Sequence, residues 1–259
     1  MGILNLTPDS FYDGGRNNST EKALQHVSLM VEQGVDILDI GAVSTRPGSV
    51  APDTEEEWQR MADVLVTVRK KFPSLTISID TYRSEIARRS VENGADIIND
   101  VTGGEMDGEM FETVASLGVS YVLTHIQNTP SDMQDKPIYN DVVRDVTDFF
   151  ATRLQQLRKL GVHDVILDPG FGMGKTIDHN FKLLANLNEF AKFNLPLLAG
   201  VSHKSMLWKL LDTTPEKALN ATTAANMLAL VGGANILRVH EVQEAKECIK
   251  VFEQWCACK

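Results

Sequence analysis

Short apolar runs alternate with amphipathic stretches along the whole chain. The runs lie at Gly2–Leu4, Asp36–Ile40, Thr76–Ile79, Asp96–Ile98, Ser120–Leu123, Asp164–Leu167, Leu195–Leu198 and Asn235–Val239. Each is short and nearly continuous in hydrophobicity, as expected of a parallel strand covered on both faces. Between the runs, apolar positions return with helical spacing. Trp58, Met61, Leu65, Val68 and Phe72 share one face, as do Val142, Val146, Phe149, Leu157 and Leu160, and later Val242, Ala245, Ile249 and Phe252. Gly34, Gly94, Gly118, Gly161 and Gly233 each fall between such a stretch and the next run, where a helix C-terminus favours a left-handed residue. Eight strand-helix units with no linker or change of composition predict an α/β fold, a single-domain (β/α)8 TIM barrel over residues 1–259. A doubly wound open sheet is the alternative.

A barrel of this kind carries its chemistry at the C-terminal ends of its strands. The residues found there are Asn5, Asp39, Asp80, Asn99 with Asp100, His125, Asp168, Ser202-His203-Lys204, and Arg238 with His240. A lone Asp after a strand is ordinarily a helix cap. Polar residues after all eight runs point instead to an enzyme. Asp80, Asn99 and Asp168 offer acceptors to a donor-rich heterocycle edge. Lys204, Arg238 and His240 offer positive charge and donors to a phosphate or pyrophosphate. The set suits a ligand with a guanidine-like head and an anionic tail.

The segment Asp168–Thr176 fails as a nucleotide phosphate loop, because Pro169 stands where the first glycine is needed. Its Gly170, Gly172 and Gly174 are read as a mobile or tightly turned loop.

Charge narrows the partners. The chain has 35 acidic against 25 basic residues and a formal charge of −10. That argues against nucleic acid or an anionic membrane as the main partner, and it does not bear on a local basic site for a small anion. No apolar run approaches the roughly 18 residues of a membrane span. Cys248, Cys256 and Cys258 cluster at one end, so no disulfide framework runs through the chain, and a reducing, cytoplasmic location is expected. Cys256 and Cys258 read as a helix end rather than a metal site.

The segment Met1–Gly15 resembles the first signature of the dihydropteroate synthases, and Asp39–Gly48 resembles the second. Ser78–Thr81, Ile97–Asp100, Leu167–Gly170, Ser202–Ser205 and Arg238–His240 match further motifs in the family's order. The resemblance implies a pterin-binding barrel enzyme, a transferase that joins a pterin pyrophosphate to 4-aminobenzoate and is a sulfonamide target. It assigns Asp80, Asn99, Asp168 and Lys204 to the pterin, and Asn5, Arg46, Arg238 and His240 to the pyrophosphate, with Mg²⁺ near Asn5. Thr45, Arg46, Pro47, Met173 and Ser205 fall to the aminobenzoate, with Asp9 and Phe11 on the first of two closing loops and Thr45, Arg46 and Pro47 on the second. Lys204, Asp80, Asp168, Arg238 and His240 form the implied catalytic set. The resemblance also implies a homodimer packed through helices of the second half of the barrel.

The chain departs from the pattern in places. His203 stands where Arg is usual, Met173 where an aromatic ring is usual, and Thr124 where Met is usual; Gln127 and Asn128 replace an Arg and a Gly. These imply either drift at constant volume or an altered aryl-amine pocket. They also leave open a catalytically silent pterin-binding paralogue. A methyltetrahydrofolate methyltransferase shares the barrel but has little use for Arg238 and His240.

Overall fold

The computed structural model describes residues 1–6, 16–43, 51–129, 132–133 and 137–258, with residues 16–19 described by their backbone alone. The strands are β1 (Gly2–Asn5), β2 (Ile37–Gly41), β3 (Thr76–Asp80), β4 (Ile97–Asp100), β5 (Ser120–Thr124), β6 (Val165–Asp168), β7 (Leu198–Ala199) and β8 (Ile236–Leu237). The helices are α1 (Arg16–Glu32), α2 (Thr54–Lys71), α3 (Ser84–Glu92), α4 (Met110–Leu117), α5 (Val142–Lys159), α6 (Ile177–Ala185), α7 (Ser205–Leu210), α8 (Leu219–Val231) and α9 (Val242–Ala257). The β7 unit thus carries two helices, α7 and α8.

Strands β1 to β6 form one parallel sheet in sequence order, and β7 pairs with β8. Two bridges close the ring. Leu167 on β6 pairs with Leu197 before β7, and Gly2 on β1 pairs with Val239 after β8. Ile3 N–H donates to the Val239 carbonyl, and Val239 N–H donates to the Met1 carbonyl. The result is the expected TIM barrel, and closure leaves no strand edge open among the described residues.

Each strand was anticipated to within a few residues, and all five anticipated helix-ending glycines have positive φ, from 64° at Gly118 to 101° at Gly233. One face was misread. In α5 the buried stripe is Val142, Val146, Phe150, Leu154 and Leu157; Phe149 packs half-buried against the same core, and Leu160, the C-cap beyond the helix, is 39% exposed. Phe149 and Phe150 are adjacent, and spacing alone cannot say which of them leads the face.

Strand residues alternate between two environments. Leu38, Ile40, Ile77, Ile79, Tyr121, Leu123, Val165 and Leu167 face the helices and join the main core. The opposite set fills the barrel, and its character changes along the axis. At the bottom, Met1, Ile97, Val122, Ile166 and Leu198 form an apolar plug, with Ile37 and Ile236 packed against it. Above it strands β2 to β6 present Asp39, Ser78, Asn99, Thr124 and Asp168, all buried. The polarity sets the usable end of the barrel.

Caps fix the helices that frame this end. Asp53 accepts from Glu56 N–H at the start of α2, and Asp141 accepts from Val143 and Arg144 N–H at the start of α5. Acidic residues in the first turn of α2 and basic ones in its last turn match the helix dipole.

Candidate active site

Asp39 is the hub. It is fully buried and takes three side-chain donors: Ser78 Oγ at 2.6 Å, Asn99 Nδ2 at 3.1 Å and Arg238 Nε at 2.7 Å. Arg238 also donates from Nη2 to Asp80 Oδ2 at 2.6 Å. The guanidinium therefore spans β2 and β3 from the end of β8, and its two charge-assisted bonds fix its plane. The acceptor and donor halves inferred from sequence are not separate: Arg238 is tied into the acidic half.

The local sequence makes room for this. Gly41 pairs with Asp80, and a Cβ at Gly41 would lie 3.2 Å from Asp80 Cβ. Burial raises the Asp80 carboxyl above the usual carboxylate range; Arg238 opposes the rise and the Asp39 charge adds to it. Beneath Asp80, buried Glu57 accepts from Thr81 Oγ1 at 2.7 Å and pairs with Arg83, which holds the turn into α3.

Across the mouth, β6 delivers Asp168. Its Oδ1 accepts from Gly170 N–H at 2.7 Å, and burial raises its carboxyl, with that bond opposing. The loop that follows is tightly turned, with Gly170, Gly172 and Gly174 at φ of 70°, 75° and 64°. A Cβ at Gly170 would meet the His125 carbonyl oxygen at 1.9 Å, so only glycine fits.

Lys175 pins this loop from inside. Only 4% exposed, its Nζ donates to the carbonyls of Gly170 and Met173 at 3.0 Å and lies 2.9 Å from His125 Nδ1. Burial lowers the Lys175 ammonium to about 7. The His125 imidazole falls well below its ordinary value, through burial first and the Lys175 charge second. The sequence places Asp39 among the strand-end polar residues but assigns it no role, and it gives Lys175 no place in the site.

Lys204 precedes α7, and its stem lies on Gly172, where an added Cβ would be 3.0 Å from Lys204 Cδ. Burial lowers its ammonium; Arg238 adds to that, while Asp168 and Asp80 oppose it. Its amine makes no hydrogen bond to the described residues, nor does the side chain of Asn5 at the end of β1. Ser205 opens α7. His240 Nδ1 lies 2.8 Å from Ser202 Oγ.

Asn5, Asp80, Asn99, Asp168, Lys204, Ser205, Arg238 and His240 thus all stand at strand ends on one face of the barrel. Thr45, Arg46, Pro47, Asp9 and Phe11 lie outside the described residues.

The departures have distinct surroundings. Asn128 takes a φ of 65°, a position glycine would fill and Asn tolerates. The Gln127 side chain pairs with the Ile138 backbone in both directions, at 2.7 and 2.9 Å. Met173 is buried with Val101, Ile126 and Met133 in a small cluster of its own. Thr124, beside Asp168 in the register, is buried, and its Oγ1 has no hydrogen-bond partner among the described residues.

A closed barrel with carboxylates, a buried guanidinium and a lysine at one mouth belongs to a defined class: residues 1–240 match the pterin binding enzymes, and the chain is a member of that family. Within it the chain belongs to the dihydropteroate synthases, which are transferases. It is 42% identical over 261 residues to the dihydropteroate synthase of Escherichia coli K12, spanning 100% of this chain and 92% of that one. The dihydropteroate synthase of Yersinia pestis, solved with a sulfonamide drug complex, superposes with a TM-score of 0.93 at 39% identity, covering 100% of this chain and 94% of the other. That of Xanthomonas albilineans, solved with 4-aminobenzoic acid, gives 0.92 at 38% identity, covering 99% and 92%.

Proposed function

We propose that this barrel mouth condenses 6-hydroxymethyl-7,8-dihydropterin pyrophosphate with 4-aminobenzoate, giving 7,8-dihydropteroate and pyrophosphate, with residues 1–259 acting as one domain. The observation that carries the reading is the polar layer on the apolar plug, in which Asp39 orients Arg238 and Asn99 while Asp80, Asp168 and Lys204 line the same opening.

The pterin lies on this layer. Asp168 takes the amino-pyrimidinone edge, whose N–H groups match a carboxylate, with Asp80 and Asn99 completing the ring contacts and Lys204 donating to the carbonyl side. Arg238, His240, Asn5 and Arg46 face the diphosphate. Thr45, Arg46, Pro47, Met173 and Ser205 take the aminobenzoate, and keeping water from the mouth protects the cation from being trapped as an alcohol.

The C–O bond to the diphosphate breaks first, and the electron pair leaves with pyrophosphate. The pterin methylene is left as a cation, which the aryl amine attacks through nitrogen; the C–N bond forms and the surplus amine proton departs. Arg238 and His240 stabilise the leaving charge, and the carboxylates around the ring tolerate the cation. No side-chain nucleophile takes part.

Asn5 would hold Mg²⁺: its amide oxygen is a hard donor with no competing partner among the described residues, and the diphosphate would bring hard oxygen donors of the same kind. The ion supplies charge neutralisation on the leaving group when bound.

The catalytic reading is favoured over a silent paralogue by the full set Asn5, Asp80, Asn99, Asp168, Lys204, Arg238 and His240. Exposed Leu228 and Val231 on α8, with Val251 and Trp255 on α9, support a homodimer through these helices. No helix among the described residues is long and apolar enough to cross a membrane; we take the enzyme as cytoplasmic, with small molecules rather than nucleic acid or membrane as its partners.

Calorimetric titration of the pterin pyrophosphate tests the site. Asp168→Asn should bind it at least about tenfold more weakly than wild type, the value of one charged hydrogen bond. Equal affinity would remove the pterin from this pocket.

A further inference from the structure

Three residues at the rim of the mouth form a cluster that the synthase reading does not use as a group. His203, His240 and Glu241 bring one ligand atom each to within 4.8 Å of one another. His203 is the residue that stands where the family resemblance calls for Arg. Its backbone is held left-handed, at a φ of 51°, with its N–H donating to Thr222 Oγ1 at 3.1 Å. That conformation turns the ring toward Glu241, whose two carboxylate oxygens lie 2.8 and 2.9 Å from His203 Nε2.

The neighbours of these rings match those of metal-bound imidazoles. A ligating histidine commonly donates its second ring N–H to a carbonyl or other acceptor, which fixes the tautomer and the ring plane. His203 Nδ1 faces the Pro215 carbonyl in hydrogen-bond contact. His240 Nδ1 lies 2.8 Å from Ser202 Oγ, which also accepts the His240 backbone N–H. Glu241 supplies a third sign. It occupies the N-cap of α9 yet caps no backbone N–H, its carboxylate turning instead to the histidine. The two rings stand 5.4 Å apart at an interplanar angle of 79°.

We propose that His203, His240 and Glu241 form a binding site for a divalent transition metal. Two imidazoles and one carboxylate on one side, with open positions toward solvent, are the donor set of catalytic zinc and of non-haem iron or manganese centres. It is chemically distinct from an oxygen-only Mg²⁺ position at Asn5, because Mg²⁺ prefers oxygen donors. The charges of nearby Lys204 and Arg238 are met by Asp39, Asp80 and Asp168, so the cation does not enter an uncompensated positive field. The site rests on no substrate assignment.

Titration of Co²⁺ into the purified full chain tests this, followed by visible absorption and displacement with Zn²⁺. One Co²⁺ per chain should bind with the spectrum of nitrogen and oxygen ligation, and excess Mg²⁺ should not displace it. His203→Arg and Glu241→Gln should each weaken binding by at least about tenfold, and Ser202→Ala by about 10- to 100-fold through loss of ring positioning. Thermal melts of each variant separate lost binding from lost folding. No Co²⁺ spectrum in the wild type, or affinity unchanged in folded His203→Arg and Glu241→Gln, would overturn the site and leave a histidine–glutamate ion pair. So would a thiolate charge-transfer band, which would move the metal to Cys256 and Cys258.

Discussion

Arg238 Nε donates to Asp39 Oδ2 across 2.7 Å, linking the last strand of the barrel to the second. Asp39 is wholly buried, and its other acceptor positions are taken by Ser78 and Asn99. Its charge holds a guanidinium and an amide in fixed orientations at the floor of the mouth. Removing Asp39 leaves the buried guanidinium with Asp80 as its one remaining carboxylate among the described residues, and strips Asn99 and Ser78 of their acceptor.

Asp39→Ala is therefore expected to cost about 3–5 kcal/mol of folding stability, measured by urea denaturation. Residual folded enzyme should also show a raised KM for the pterin pyrophosphate, because Arg238 and Asn99 lose their common anchor. A stability change below about 1 kcal/mol would mean that Arg238 is held by Asp80 alone.

Thr124 carries a buried hydroxyl with no partner among the described residues, next to Asp168. An unmade hydrogen bond of this kind costs about 1–3 kcal/mol. Thr124→Val keeps the shape and removes the group, so the free protein should melt higher while the pterin substrate binds more weakly. A higher melting temperature with unchanged substrate affinity would show that the hydroxyl does not meet the ligand.

Two glycines with similar positive φ separate backbone strain from close approach. At Gly118, φ is 64° and an added Cβ meets nothing within 4 Å, so Gly118→Ala should cost only the left-handed penalty of about 1–2 kcal/mol. At Gly170, φ is 70° and the Cβ would stand 1.9 Å from the His125 carbonyl. Gly170→Ala should cost clearly more and abolish turnover, since relieving the clash must shift the backbone and carry the residue 170 N–H away from Asp168. Equal melting temperatures for the two variants would contradict this.

Lys175 gives the fold a pH dependence with a definite sign. Its folded ammonium is lowered to about 7, whereas an unfolded lysine titrates near ~10.4. Between those values the unfolded chain binds the extra proton, so this group makes stability rise with pH through the window and withholds that gain below it. Denaturation midpoints from pH 6 to pH 9.5 should rise in the wild type, and the rise should flatten in Lys175→Met. A slope identical in both would assign the effect elsewhere.

The barrel was legible because its strands are apolar runs of the right length and its helices stop at glycines. The mouth was legible as a set of strand-end polar residues. What stayed hidden depends on direction rather than identity. Arg238 reads as an anion-binding cation until its side chain is seen bonded to Asp39 and Asp80. Lys175 sits in a glycine-rich segment that fails as a phosphate loop, and nothing in its spacing says that it turns inward to hold carbonyls. Leu160 is exposed because it is the C-cap, past the last turn of α5, and adjacent Phe149 and Phe150 leave the helical phase open before it. The Met-to-Thr change at Thr124 was visible, but whether its hydroxyl is satisfied is a matter of packing.

The most direct measurement is dihydropteroate formation by the purified chain from 6-hydroxymethyl-7,8-dihydropterin pyrophosphate, 4-aminobenzoate and Mg²⁺. The account predicts product and an equal yield of pyrophosphate, both lost in folded Lys204→Ala. Pterin pyrophosphate bound by the wild type with neither product formed would contradict it and identify a binding protein on a synthase barrel.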